Sequence, residues 1–319
     1  MKTLLTPFGA VFAALSLLAT PALAQSQPPL NMIVGFAPGG SADSIARIVG
    51  GRLTEKTGRN VVIENRPGAG ANIAAKAVIG ATADANTLLV TTAALPINET
   101  LYRNKGFSAT SLVPVAVVAT TPEVFAIGKN DPAKTIEDFV AAAKDKEVIF
   151  GTAGVGTGSH IAGEYFFKFI VKANPKHIPF RGGPDATNAL MGSHIPMVIS
   201  SLSGFASQVA SGSIRGLAIA SEKRNPVVKD VPTFAEVGYP GFTSLSWVGF
   251  FAPPGTPDAP VSALNKQIDE IISEPAIQEK LRAIGFDPLN GNVPTTRAFM
   301  DREYAQWKKM VEALELRAD

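Results

Sequence analysis

The chain has no cysteine. That excludes disulfides, a thiolate nucleophile, thiolate-ligated zinc and a lipid-anchored leader, so stability must come from a packed core. Histidine is almost as scarce. His160, His177 and His194 are the full complement, and no H-x-x-x-H pair occurs among them, so zinc finds no support. Neither charge sign is in excess. The 29 Lys+Arg balance 27 Asp+Glu without a basic block, which argues against a nucleic-acid partner. No serine stands in G-x-S-x-G, no Gly-Lys-Ser/Thr closes a phosphate loop, and paired carboxylates cannot be assigned. Nothing therefore points to catalytic residues, a cofactor or a metal. Long apolar runs are missing too, except at the N terminus. There Lys2, an apolar stretch over 8–19 and Ala22-Leu23-Ala24 read as an export signal cleaved near Ala24. The stretch is too short for a transmembrane helix. The expected mature chain starts at Gln25 and is soluble in the periplasm.

Roughly 295 residues remain, more than one core usually serves, so two domains are expected. Strand patterns fall at 31–36, 60–64, 87–91, 113–119, 124–127, 148–150, 176–180, 197–200, 215–220 and 247–252. Helical patterns fall at 43–56, 71–79, 135–144, 159–172, 186–191, 205–210, 259–273, 275–284 and 295–316. In the third helix Thr135 and Asp138 have capping-box spacing. In the fourth, Ile161, Tyr165 and Phe169 share a stripe. Alternating strands and helices imply an α/β fold with mostly parallel sheets and helices on both faces. Ligands bind such sheets at the carboxyl ends of the strands.

The most informative segment runs Phe36-Ala37-Pro38-Gly39-Gly40-Ser41-Ala42-Asp43. It links a strand to a helix. Its glycines let backbone approach a ligand, and the free N–H groups of a helix start favour an anion. Phe36, Ala37, Gly39, Gly40, Ser41 and Asp43 are candidate contacts. A second loop, Gly151-Thr152-Ala153-Gly154-Val155-Gly156-Thr157-Gly158-Ser159-His160, also opens a helix, with four glycines in its first eight residues. Thr152, Gly154, Gly156, Thr157, Gly158, Ser159 and His160 offer backbone and hydroxyl donors suited to a carboxylate or phosphate. A dinucleotide fingerprint fits poorly, because its third glycine would fall at Ser159. Thr92 and Ser201 stand at the carboxyl ends of two further strands. Arg181 follows a strand and can hold a carboxylate bidentately. Trp247, Phe250 and Phe251 read as core.

Six segments occur in an order that resembles the Bug-type receptors of tripartite tricarboxylate transport systems. They are Phe36-Ala37-Pro38-Gly39-Gly40 with Asp43 and Arg47, Glu64-Asn65-Arg66-Pro67-Gly68-Ala69-Gly70, Gly154-Val155-Gly156-Thr157-Gly158-Ser159-His160, Pro179-Phe180-Arg181-Gly182-Gly183, Asp230-Val231-Pro232-Thr233 and Trp247-Val248-Gly249-Phe250-Phe251-Ala252-Pro253. The resemblance implies a two-domain periplasmic-binding-protein (Venus-flytrap) fold with two crossing strands and the ligand in the cleft. One domain would hold 25–128 with 248–319, the other 129–247, with crossings near 127–129 and 246–249. It further implies a receptor, not an enzyme, that passes a small carboxylate, mono- or dicarboxylate and conceivably aromatic, to integral membrane permease subunits. The first loop would hold one carboxylate end, partly through ordered water. A monomer is expected. The chain departs from the family pattern at Gly35, at Ala83-Asp84-Ala85, at Phe180-Arg181 where Tyr-Lys is usual, and at Asn188 where an acid is common. The last two changes, expected near the cleft, remove a phenol and a negative charge and favour an anionic ligand. A periplasmic sensory receptor and a secreted α/β hydrolase are the alternative readings.

Overall fold

The structure is a computed structural model that describes residues 28–143 and 146–318. The segment expected to be an export signal lies outside the described residues. In chain order the first elements are β1 (Leu30–Val34), α1 (Ser41–Thr57), β2 (Val61–Asn65), α2 (Asn72–Ile79), β3 (Thr87–Thr92), α3 (Ala94–Leu101) and β4 (Val113–Gly128). Next come α4 (Ile136–Ala142), β5 (Glu147–Thr152), α5 (Gly158–Tyr165), β6 (Asn174–Pro179), α6 (Gly183–Met191), β7 (Met197–Ser201), α7 (Ala206–Ala210) and β8 (Ile214–Ile219). The chain closes with β9 (Leu245–Ala252), α8 (Asp258–Ile272), α9 (Pro275–Ala283), the two-residue β10 (Asp287–Pro288) and α10 (Val293–Leu314).

The strands run in the order β2-β1-β3-β9-β4-β7-β5-β6, with β8 and β10 also on β4. β1 pairs in parallel with β2 and β3, and β5 with β6 and β7. β9 and β4 run antiparallel to their neighbours, so the sheet is mixed rather than mostly parallel. The cause is β4, one sixteen-residue strand where the sequence suggests two. Its residues Val113–Pro122 pair with β9, and from Glu123 onward it pairs with β7 and β8. Pro122 falls where the ladder changes partners and a missing N–H is tolerated. The handover at 122/123 and the start of β9 at Leu245 lie ahead of the crossings expected near 127–129 and 246–249.

Two-residue alternation then fills both faces of each half. In the first half Met32, Val34, Leu88, Val90 and Phe250 meet Ile45, Val49 and Ile268 of the helices on one face. Ile33, Leu89 and Phe251 meet Leu95, Ile97, Met300 and Trp307 on the other. In the second half Phe125 and Ile127 face Phe150, Phe166, Phe167 and Phe234, while Val124 and Ala126 face Leu190 and Phe205. Trp247 and Phe251 are buried core, as expected; Trp247 Nε1 donates to Glu303 Oε2 at 2.6 Å.

Thr135 caps α4 with a reciprocal capping box: its Oγ1 accepts from Asp138 N at 3.0 Å, and Asp138 Oδ2 accepts from Thr135 N at 3.1 Å. The helix expected over 159–172 instead leaves α geometry at Phe166 through a π turn, Phe166–Ile170. Ile161 is buried, whereas Tyr165 and Phe169 stack on each other at the surface with ring centroids 5.8 Å apart, so the expected stripe runs out of the core.

Candidate ligand cleft

A narrow cleft of about 40 Å³ lies where the two halves of the sheet meet, a closed-down space that must widen to take a ligand. Phe36, Gly40, Ser41 and Ala42 line it from the start of α1, and Thr92 from the end of β3. Ala153, Thr157, Gly158 and Ser159 line it from the start of α5, and Gly183 from the start of α6. Ser200, Ser201 and Gly204 follow β7, while Glu123 and Ser246 stand on the crossing strands. Three helix N-termini thus converge on one space. α1 and α6 have no side-chain cap, which leaves their first N–H groups without an acceptor. Thr157 caps α5 by accepting from His160 N at 3.3 Å.

Several sequence candidates brace this lining rather than form it. Asp43 is buried, and Arg47 grips it with Nε to Oδ2 at 2.8 Å and Nη2 to Oδ1 at 3.0 Å. Asp43 Oδ2 also accepts from Gly39 N at 2.9 Å, and Oδ1 from Asn65 Nδ2 at 2.9 Å. Burial pushes its pKa up, but the bonds from Arg47, Gly39 and Asn65 outweigh that and hold it below the usual value. Both oxygens are occupied, so Asp43 fixes the loop and is not part of the cleft wall. Gly39, at φ +81°, is the turn's left-handed residue, and Gly40 is the one that lines the space. Ala37 N donates to Arg181 O across the cleft mouth at 3.4 Å.

In the second loop Thr152 is fully buried and hydrogen bonded to His177 Nε2 at 2.7 Å. Gly154 O accepts from Thr157 Oγ1 at 2.8 Å, and Gly156 N donates to His160 Nδ1 at 3.3 Å. His160 stacks on His177 with ring centroids 4.1 Å apart. Burial pushes the His160 pKa down to about 4, and burial together with His160 pushes His177 down as well. Both rings are therefore neutral near pH 7 and serve the loop's own geometry. Gly156, at φ +76°, stands against Asn98 Oδ1 of α3, where a Cβ would collide. Its bareness lets the second loop close onto the first half of the molecule.

Arg181 is exposed and faces a second cavity that is lined from both halves, by Gly68 and Tyr102 on one side and Phe180 and Asp185 on the other, and that shares Phe36 and Ala153 with the cleft without Arg181 itself reaching the cleft lining. Asn188 is exposed on α6 and also away from the lining, so neither departure from the family pattern touches the cleft wall. Of the sequence candidates, Phe36, Gly40, Ser41, Thr92, Thr157, Gly158, Ser159 and Ser201 meet around the cleft. Ser41 Oγ lies 2.7 Å from both Ser201 Oγ and Ser203 Oγ, joining the two halves. Sequence reading missed Glu123, Ser200 and Ser246. Glu123 had a signal: it is the one charged residue in Val113–Gly128. Among the described residues, no cluster of three His, Asp or Glu could hold a metal, and no helix is long and apolar enough to cross a membrane.

Comparison with known proteins now adds to this geometry. Residues 45–316 match the description "Tripartite tricarboxylate transporter family receptor". Protein BugT of Bordetella pertussis is 32% identical, covering 98% of this chain and 97% of that protein. The structure of the periplasmic binding protein BugD is 29% identical with a TM-score of 0.86, covering 91% of this chain and 99% of that one. An R. palustris protein with adipate gives 29% identity and a TM-score of 0.86, covering 91% and 98%.

Proposed function

The chain belongs to the tripartite tricarboxylate transporter family of receptors, and from that premise we propose that it captures a small organic carboxylate in the cleft and delivers it unchanged to membrane permease subunits. The observation that carries the ligand class is the convergence of the α1, α5 and α6 N-termini on one space. Each brings backbone N–H groups without an intrahelical acceptor and the positive end of a helix dipole. Ser41, Ser159 and Ser201 add hydroxyls that can donate beside them. The adipate in the R. palustris relative supports the same class.

Release without chemistry is supported by the lining itself. Glu123 is its one titratable side chain, and the two histidines behind it are engaged with Thr152 and Gly156. Among the described residues no serine of the lining is hydrogen bonded to Glu123 or to a histidine, as an activated nucleophile would be. The periplasmic description of BugD and the export signal over 1–24 support a periplasmic site of action. Two lobes, 28–122 with 245–318 and 123–244, would close on the ligand by rotating about the two crossing strands.

Calorimetry with adipate and shorter mono- and dicarboxylates, each against its amide, tests the ligand class. The acids should bind and the amides should be at least about tenfold weaker, because charge-assisted bonds to the helix starts are lost. Equal affinity for acid and amide would overturn the reading.

A further inference from the structure

One acid lies inside a cleft that three helix starts make receptive to anions. The β4 backbone fixes its position. Glu123 N donates to Ser244 O at 3.0 Å, and Glu123 O accepts from Ala220 N at 2.8 Å. Across the ladder it stands opposite Ser201. Its side chain lines the cleft, the residue is 2% exposed, and Oε2 has no hydrogen-bond partner among the described residues. Oε1 lies 3.1 Å from where a Cβ on Gly158 would sit, so the carboxyl occupies room kept open by a bare first residue of α5. No Lys, Arg or His lines the cleft. Arg47 is committed to Asp43, and Arg181 faces the outer cavity.

A buried carboxyl with an empty acceptor calls for a donor, and none of the described residues supplies one. Burial pushes its pKa up to about 8. Closing the cleft around a ligand without positive charge therefore forces Glu123 to take up a proton near neutral pH or to stay bare and desolvated. Wherever Glu123 stays ionised, a plain dicarboxylate would also bring a second negative charge toward it, a repulsive element that selects against it. A ligand ammonium removes both problems, because it donates to the unpartnered oxygen and neutralises the charge in a dry site.

We propose that Glu123 is a specificity-determining ligand contact that pairs with a protonated amine, so that the captured carboxylate is an aminocarboxylate. Its acid end meets the helix N-termini and its ammonium meets Glu123. This rests on the carboxylate reading above and narrows it.

The test uses the full mature chain and calorimetry at pH 7 on matched probes: L-aspartate against succinate, L-glutamate against glutarate, and 5-aminopentanoate against pentanoate. At least one amine-bearing probe should bind about tenfold or more tighter than its amine-free match. Glu123→Gln, which keeps the shape and removes the charge, should weaken that probe by roughly a hundredfold, the scale for unpairing a desolvated ion pair. The amine-free match should bind Glu123→Gln as well as or better than it binds the parent. Thermal melting of both unliganded proteins controls for folding, and the matched probes on the parent alone remain decisive if the variant is unstable. Amine-free acids that bind at least as tightly as their matches overturn the inference and leave the carboxylate reading standing. Proton uptake on their binding, read from calorimetry in buffers of different ionisation enthalpy, would then assign Glu123 as a neutral donor. If no acid binds, with or without an amine, both readings fail.

Discussion

At the scale of single residues, position in the fold separates a binding group from a brace more sharply than chemical type does. His160 and Arg181 are both polar side chains in glycine-rich segments, yet one is buried in loop hydrogen bonds and the other is exposed on an outer cavity. Arg181→Ala should accordingly leave ligand affinity within about twofold of the parent, measured by calorimetry; a larger loss would bring its side chain back to the ligand. His160 makes a different prediction. Its folded pKa is about 4, below its ordinary value near 6.5. The unfolded chain therefore binds a proton between those values that the native chain does not, so stability falls as pH drops from about 6.5 to about 4. The slope from this one group is about 1.4 kcal/mol per pH unit. Above pH 6.5 it contributes no slope. Denaturant unfolding of the parent against His160→Gln, followed from pH 8 to pH 4, should show a shallower decline in the variant. Parallel curves would remove His160 as a source of the acid sensitivity. The glycine loops were legible because Gly and Ser before a helix have few other uses. Glu123 was not, because a lone acid in an apolar strand signals function only once the strand is known to be continuous and buried.

Elements were read well wherever local sequence decides them and less well where tertiary pairing does. α1, α4 and α8 fall within two residues of their expected ends because caps, breakers and a 3.6-residue stripe fix them locally. α3 was missed: Pro96 in its first turn reads as a breaker but is tolerated there, where its N–H has no partner to lose. β4 was split because its middle, Thr120-Thr121-Pro122-Glu123, has no strand pattern of its own and is held by the exchange of one partner for another. The start of α1 supplies the prediction at this scale. Gly40 has φ −79° and ψ 175°, a conformation open to any residue, and a Cβ there would lie 3.4 Å from Ala37 O and 3.9 Å from Pro184 Cδ. The backbone should therefore accept Gly40→Val with a loss of about 1 kcal/mol, the usual scale for a poor N-cap. The added methyl groups would stand in the cleft beside Ser41. Binding should fall by at least about tenfold while thermal melting changes little. Normal binding by Gly40→Val would move the ligand away from the start of α1.

Over the whole molecule, the cleft belongs to neither half, and its walls are joined by contacts that must part for a ligand to enter. Ser41 meets Ser201 and Ser203, Ala37 meets Arg181, and Ile161 is buried among residues of the first half such as Ile97, Leu101 and Trp247. Two crossing strands carry the continuous backbone hydrogen bonding between the halves, with the exchange of partners confined to Pro122 and Glu123 on β4 and the start of β9. A rotation there leaves both cores intact and separates small hydroxyls and short apolar contacts, a motion of the hinge kind. Small-angle scattering should therefore give a smaller radius of gyration with a saturating carboxylate than without it. The absence of cysteine allows a sharper form of the test. Ser41 and Ser201 have side-chain oxygens 2.7 Å apart, close enough for sulfurs placed there to reach disulfide distance with little movement. Ser41→Cys combined with Ser201→Cys, oxidised without ligand, should hold the compact radius and refuse ligand, and reduction should restore both the larger radius and ligand entry. If the parent's radius is unchanged at saturation and the oxidised double variant still exchanges ligand freely, the halves do not move as separate bodies and the cleft fills by local opening instead.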